Sequence, residues 1–277
     1  MALDVKTLVF AAMMSSFFLT ATLAFYQRYY KTYPGFSLWC ASSVVIFVGY
    51  VLFFLRPLLP LPVGVLVANS AFFMGFLLRL DGASRFLRGQ PAPRWIYAGI
   101  PAMITGLGFF LFVDDDIVAR NIIFSALMSA PAIFIARLFF HAKKSQLYTL
   151  VASFHVIFVV LVISRAAYWM IQPPEGVYTP QASHLALLAG SFVLDLALSV
   201  SFLLLNNQRL EREFFDLIAL IPICAWCGNL RDQEGSWMKI ENFFRQRSEI
   251  KFTHGICPDC KSKYRKKETP EDVPAPT

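Results

Sequence analysis

Charge is scarce in this chain: Asp, Glu, Lys and Arg make up only 16% of its 277 residues, while 57% are hydrophobic and 28 are phenylalanine. A soluble domain is about 45 to 50% apolar. A soluble globule of this length has no way to hide the surplus, so that class is excluded. The opening MALDVK, with one acid and one base, and the segment TLAFYQRYY at the end of the first apolar run supply neither the basic start nor the cleavage site of a secretory signal. That run is therefore expected to remain as a first membrane helix. An inverted repeat, a chain of intramembrane acids and paired broken helices are also missing, which disfavours transport. No nucleophile and base pair or catalytic metal triad is visible, so no enzyme is expected. The net charge of +7 does not point to nucleic acid, because the tail over 206–277 is nearly neutral and the excess belongs to the membrane half, where it sets topology.

Lipid is thus the expected solvent. Seven apolar runs approach or exceed the roughly 18 residues of a membrane span: Thr7 to Tyr26, Leu38 to Leu55, Val63 to Leu80, Trp95 to Phe112, Ile117 to Phe140, Leu147 to Ile171 and His184 to Leu205. Loops rich in Lys and Arg stay in the cytoplasm. Arg28, Lys31, Arg79, Arg85, Arg88, Arg94, Arg137, Lys143 and Lys144 fall on one side, against Lys6, Arg56, Arg120 and the acids Asp114, Asp115 and Asp116 on the other. The N-terminus is expected outside and the C-terminus inside, which agrees with an odd number of spans. Pro101 and Pro131 are candidates to kink the fourth and fifth.

Ionisable groups at membrane depth are costly and usually have a partner or a task. His155 in the sixth run and Asp195 in the seventh lie at similar depth on neighbouring antiparallel helices, an arrangement that would let them pair. Arg165, nearer the outer end of the sixth run, is placed to meet Asn69 of the third and to line a pocket open to the outside. These four residues are the candidates for ligand sensing. The competing reading is that they bind helices together by hydrogen bonds, and a transport pathway is a third.

Beyond the seventh run, Leu210, Phe214, Leu217 and Ile221 fall at spacings of 4, 3 and 4 before Pro222, the seam of a coiled coil. Followed backward, the register takes in Asn207, Leu203, Val200 and Leu196. One helix leaving the membrane over 206–222 is expected, either pairing in a homodimer or packing on the cysteine segment that comes after it.

In that segment Cys224, Cys227, Cys257 and Cys260 form two C-x2-C hooks, the spacing of a tetrahedral structural zinc site. Cys40, in the second run, reads as a small buried apolar residue. Gly228 lets the chain turn after the first hook, and Pro258 stiffens the second. A segment this short lacks a self-sufficient core, and zinc would supply the missing stability. Trp237, Ile240 and Phe244 suggest a short helix capped by Ser236, and IKFTHGI suggests a strand or turn. An iron–sulfur cluster and reactive thiols remain alternatives. His254 is a fifth candidate near the metal, in a ligand or supporting role. Four cysteines leave no open coordination position, so hydrolytic chemistry is not indicated.

The segments IPICAWCGNLRDQEGSW and FTHGICPDC, with Glu241 between them, resemble a cysteine motif that follows receiver, PAS and related domains in bacterial signalling proteins; Gly228 stands where that motif usually has lysine. More loosely, LDVKTLVF, GFSLWCASSVVIFVGYVLFFLR, VLVANSAFFMGFLLRLDGASRFLRG and ISRAAYW resemble the seven-helix sensor region preceding many bacterial diguanylate cyclase domains. The chain has no cyclase signature, no kinase phosphoacceptor region and no nucleotide-binding glycine loop. The resemblances imply an all-α membrane protein in which a seven-helix sensor domain (1–205), N-terminus outside, leads through a connecting helix (206–222) to a small cytoplasmic zinc module (223–267) and a disordered tail (268–277). The implied function is that of a bacterial inner-membrane receptor coupling a small-molecule or membrane stimulus to a cytoplasmic signalling protein. A transporter or channel carrying a regulatory zinc module is the alternative.

Overall fold

A backbone immersed in lipid must satisfy its hydrogen bonds internally, and helices do so. The computed structural model describes residues 5–142, 145–176, 181–218, 222–232, 235–247, 253 and 255–267. It contains α1 (Val5–Tyr29), α2 (Phe36–Phe54), α3 (Ala68–Arg88), α4 (Gly99–Phe112), α5 (Ile117–His141), α6 (Gln146–Ile171) and α7 (Ala182–Ile218). A five-residue π-type turn, Val63–Val67, leads into α3, and a 3-10 turn, Arg94–Ala98, leads into α4. Among the described residues, seven helices are long and apolar enough to cross a membrane, as in a multi-pass membrane protein. Apolar side chains fill the interior and also cover much of the outside: Phe18, Phe112, Val160 and Val193 are exposed, while a few polar groups such as Arg79, His155 and Asn206 are buried. An apolar exterior over an apolar core suits a helical bundle whose surroundings are lipid.

The chain divides into two compact units, 1–212 and 213–277. In the first, α1 packs on α2, α2 on α3, α3 on α5, α4 on α5 and α5 on α6. Residues Leu187, Leu194, Leu198, Phe202 and Leu205 of α7 join the same core. Trp39, fully buried, stacks on Phe202 at 4.3 Å and tilts against Phe86 at 5.1 Å. Offset aromatic packing of this kind adds about 0.5 to 1.5 kcal/mol beyond burial. Pro101 lies in the first turn of α4, where its missing N–H leaves no helical bond unmade. Pro131 lies inside α5, which runs continuously from Ile117 to His141.

The α2 and α3 backbones approach closely because glycine permits it. Gly35, at φ 98°, ends the turn before α2, and a Cβ built there would lie 2.2 Å from the Gly82 carbonyl oxygen. Gly82 in turn faces the Trp39 ring, with a Cβ position only 2.6 Å away. A Gly35→Ala protein is expected to lose on the order of 2 to 4 kcal/mol, from the left-handed conformation together with the backbone clash. Thermal unfolding in detergent measures the loss, and an unchanged midpoint would refute the close approach.

The second unit is small. Leu230–Arg231 (β1) pairs antiparallel with Trp237–Met238 (β2), and Ile223 bridges to Leu230. The turn is held by Asp232, whose side chain accepts the Ser236 N–H at 2.6 Å, and by Gly235 at φ 87°. Two further helices are found among the described residues of the unit, α8 (Ile240–Arg247) and α9 (Pro258–Lys267). The helix expected from Trp237 therefore begins later. Trp237 is in a strand, and Ser236 closes a hairpin instead of capping a helix, because the turn formed by Asp232 and Gly235 reverses the chain first. Most of IKFTHGI lies outside the described residues.

Candidate functional site

The bundle forms a half-open cavity of about 150 Å³. Its walls come from the C-terminal parts of α2, α4 and α6 and the N-terminal parts of α3, α5 and α7, which is one end of an up-and-down bundle. Leu107, Met128, Phe158, Val162, Leu187 and Leu198 give it a mainly apolar surface. The irregular start of α3 also contributes: Val65 and Asn69 both line the cavity, and Asn69 Nδ2 donates to the Val65 carbonyl at 2.7 Å. Distorted turns of this type are frequent where a helix borders a functional site.

Four arginines and one acid line this small space: Arg56, Arg79, Arg120, Arg165 and Asp195. Arg79 of α3 and Asp195 of α7 form a buried ion pair, with side chains 3% and 11% exposed. Arg79 also lies over the rings of Phe76 and Phe202, at 5.4 and 5.9 Å. Arg120 reaches Asp115 at 2.6 Å and the Phe110 carbonyl at 3.0 Å, while Arg56 lies over the Phe53 ring at 6.0 Å. Arg165 differs. It is buried, with the Trp169 ring 5.1 Å and the Phe124 ring 5.7 Å from its guanidinium carbon, and among the described residues no carboxylate pairs with it.

Other buried polar groups on these walls also lack protein partners among the described residues. They are Arg79 Nε, Arg165 Nε, both side-chain polar atoms of Asn121, Trp169 Nε1 and both ring nitrogens of His184. His184 stacks on Trp169 at 5.5 Å. Buried polar atoms are nearly always satisfied, so these groups require water or a ligand. An Arg165→Leu protein is expected to be more stable than the parent when no ligand is present, by on the order of 1 to 3 kcal/mol, because it removes a desolvated charge. Thermal unfolding in detergent checks this, and a loss of stability would reveal a compensating partner.

Of the four candidates named from sequence, Asn69, Arg165 and Asp195 line the cavity, and His155 does not. Fully buried beside it, His155 uses Nδ1 on the Val151 carbonyl at 2.8 Å. The expected pairing of His155 with Asp195 is not found: Asp195 turns to Arg79 on α3. Arg165 and Asn69 share the cavity, but Asn69 spends its amide on its own helix. Arg79, counted from sequence among the loop cations, is 2% exposed inside the bundle.

Toward the other end of α7, Asn206 is fully buried and joins α7 to the turn between α1 and α2. It accepts the Tyr33 N–H at 3.1 Å and donates to the Tyr26 hydroxyl at 3.1 Å and the Lys31 carbonyl at 2.9 Å. Tyr26 in turn donates to the Asn207 side chain. Arg209 donates to the Phe86 carbonyl at 3.1 Å and covers the Tyr33 ring at 4.5 Å. The coiled-coil register does not form one free seam. Leu203 and Leu210 pack on the core and Asn207 bonds to Tyr26, while Leu196, Val200 and Phe214 are exposed. The Leu217 side chain and Ile221 lie outside the described residues.

Each cysteine hook has its own turn. In the first, Gly228 N–H bonds to the Cys224 carbonyl and Cys224 N–H to the Asn229 carbonyl, both at 2.9 Å, with Gly228 at φ 70°. In the second, Cys260 N–H points at Cys257 Sγ, 3.4 Å away. Backbone donors at Cys227 and Trp226 hold the Cys224 thiol below its usual range, and those at Cys260 and Asp259 do the same for Cys257. Hydrogen bonds to the charged form favour thiolate, the species that binds metal. The donor chemistry of each hook therefore fits a thiolate-bound metal. Among the described residues, no three His, Cys, Asp or Glu side chains assemble into a metal-holding group. His254 lies outside the described residues.

Compared with known proteins, the chain matches no family model, no curated protein and no solved structure.

Proposed function

We propose that this chain is a receptor-like signal-transduction protein of the bacterial inner membrane, N-terminus outside and C-terminus inside. In this scheme, occupancy of the cavity biases α7, and a cytoplasmic zinc module carried beyond α7 engages a signalling partner. The observation that carries the proposal is the set of buried, unpartnered polar groups around the cavity, which includes an arginine without a counter-ion among the described residues. A purely structural bundle gains nothing from such groups. Helix α7 contributes His184 and Asp195 to the cavity, is tied down at Asn206 and runs on to Ile218. A ligand able to bias that helix would therefore act on the element that leads to the cysteine hooks.

Orientation is supported by the loop cations, since removing Arg79 from their count leaves the same side richer in Lys and Arg. The cavity end of the bundle then faces outward. Zinc is supported by the hook spacing and the amide-to-sulfur bond at Cys257. In the first hook, Trp226 is 97% exposed, and exposed tryptophan is a frequent anchor of protein contacts.

Paired reporters at the C-terminus test the proposal. A fluorescent protein that matures only in the cytoplasm is expected to fluoresce there, and a phosphatase active only in the periplasm is expected to stay silent. The opposite pattern overturns the scheme, as would Asp195-dependent solute flux through reconstituted proteoliposomes, the mark of a transporter.

A further inference from the structure

The cavity's chemistry narrows what it accepts. Its two best-defined cations are already neutralised: Arg79 by Asp195, and Arg120 by Asp115. Arg165 is not, and the unpartnered atoms around it are mostly donors: Arg165 Nε, Asn121 Nδ2, Trp169 Nε1 and a ring nitrogen of His184, since imidazole carries at least one N–H. A site with surplus donors and a buried guanidinium that no carboxylate pairs among the described residues, in mainly apolar surroundings, suits an anion. Size narrows it further. A closed apolar cavity of about 150 Å³ holds a molecule the size of benzene; this half-open one has about the same volume, so an apolar body of that size fills it.

We propose that the cavity binds a small monocarboxylate with an apolar body of about six carbons, its carboxylate on Arg165 with Asn121, Trp169 and His184 as further donors. The planar guanidinium fork matches a carboxylate in two parallel bonds. The Trp169 and Phe124 rings lie 5.1 and 5.7 Å from the centre of that fork, and Leu107, Met128 and Val162 receive the apolar body. A dianionic phosphate is a poorer fit, because its second negative charge would be brought into mainly apolar surroundings shared with Asp195. The inference deepens the receptor scheme by naming the class of molecule sensed, and it rests on that scheme for its biological meaning.

The test uses the full chain in lipid nanodiscs, with benzoate and hexanoate as probes and benzyl alcohol, inorganic phosphate and palmitate for comparison. Binding is read by calorimetry and by the thermal-unfolding midpoint. Benzoate or hexanoate is expected to bind and raise the midpoint, with affinity at least tenfold weaker in Arg165→Leu and partly retained in Arg165→Lys. Benzyl alcohol is expected to show no dependence on residue 165. Palmitate binding with the same dependence would uphold the carboxylate and place its source in the bilayer. Three results would each overturn the proposal: neither short acid binds, the acids bind parent and Arg165→Leu alike, or phosphate binds in their place. Because Arg165→Leu is expected to fold at least as well as the parent, loss of binding is separable from loss of structure. The receptor scheme fails independently, through the orientation and flux experiments, which contain no carboxylate.

Discussion

Replacing Arg79 by methionine is expected to cost about 3 to 5 kcal/mol, among the largest effects of any single change in the bundle, because it leaves Asp195 charged, buried and alone. Asp195→Asn should cost a similar amount by stranding Arg79. The pair joins α3 to α7 with both side chains almost wholly enclosed, so solvent offers little compensation to whichever partner remains. Two charges removed together leave no such orphan. The double variant Arg79→Met with Asp195→Leu is therefore expected to recover most of the stability, and a buried pair can even be replaced by apolar residues at a net gain. A double-mutant cycle on thermal unfolding in detergent decides the matter. Coupling of several kcal/mol between the two positions is the expected outcome. Strict additivity would mean that the pair does not exist in the folded protein.

The second large effect concerns the cysteine hooks. Purified from cells grown with ordinary zinc, the full chain is expected to carry about one zinc per molecule, and Cys224→Ser or Cys257→Ser to carry almost none, since each change removes a thiolate from the proposed four-thiolate site. A structural site of this kind supplies about 10 to 16 kcal/mol of binding energy, a large share of the stability of a unit whose described elements after α7 are two short strands and two short helices. Limited proteolysis between residues 223 and 260 should thus be slow with metal and fast after chelation. Metal analysis that finds no stoichiometric zinc in the parent would end the assignment. Iron with visible absorbance would transfer it to a cluster.

The span boundaries were legible because lipid imposes one simple rule, a long uninterrupted apolar run, and the chain obeys it to within a few residues at most ends. Depth was legible in part: Arg165 and Asn69 are expected toward the same end of the bundle and both line the cavity there, whereas Asp195, expected near the middle of its span beside His155, lines it as well. Rotation about the helix axes was not. Two residues at matching depth pair only if they also face each other, and the sequence does not say that Asp195 faces α3 while His155 is turned into its own helix. Arg79 was hidden for a related reason. A cation so close to Asp81, and to the polar stretch around Arg85 and Arg88, reads as part of the loop, although α3 continues to Arg88. Asn206 gave no signal beyond being polar at the end of an apolar run. In the cysteine segment the hairpin had a visible cue, the DQEGS turn with Asp232 and Gly235, and the helical spacing of Trp237, Ile240 and Phe244 concealed it.

The connection between cavity and module is most directly measured in living cells, with a photo-crosslinking amino acid in place of Trp226. In the parent, a discrete crosslink to one cytoplasmic protein is expected. In Arg165→Leu, where the cavity has lost the Arg165 guanidinium, the yield of that same crosslink should change severalfold while the amount of protein in the membrane does not. A crosslink unaffected by residue 165, or no cytoplasmic partner at all, would contradict a receptor in which the cavity governs the module.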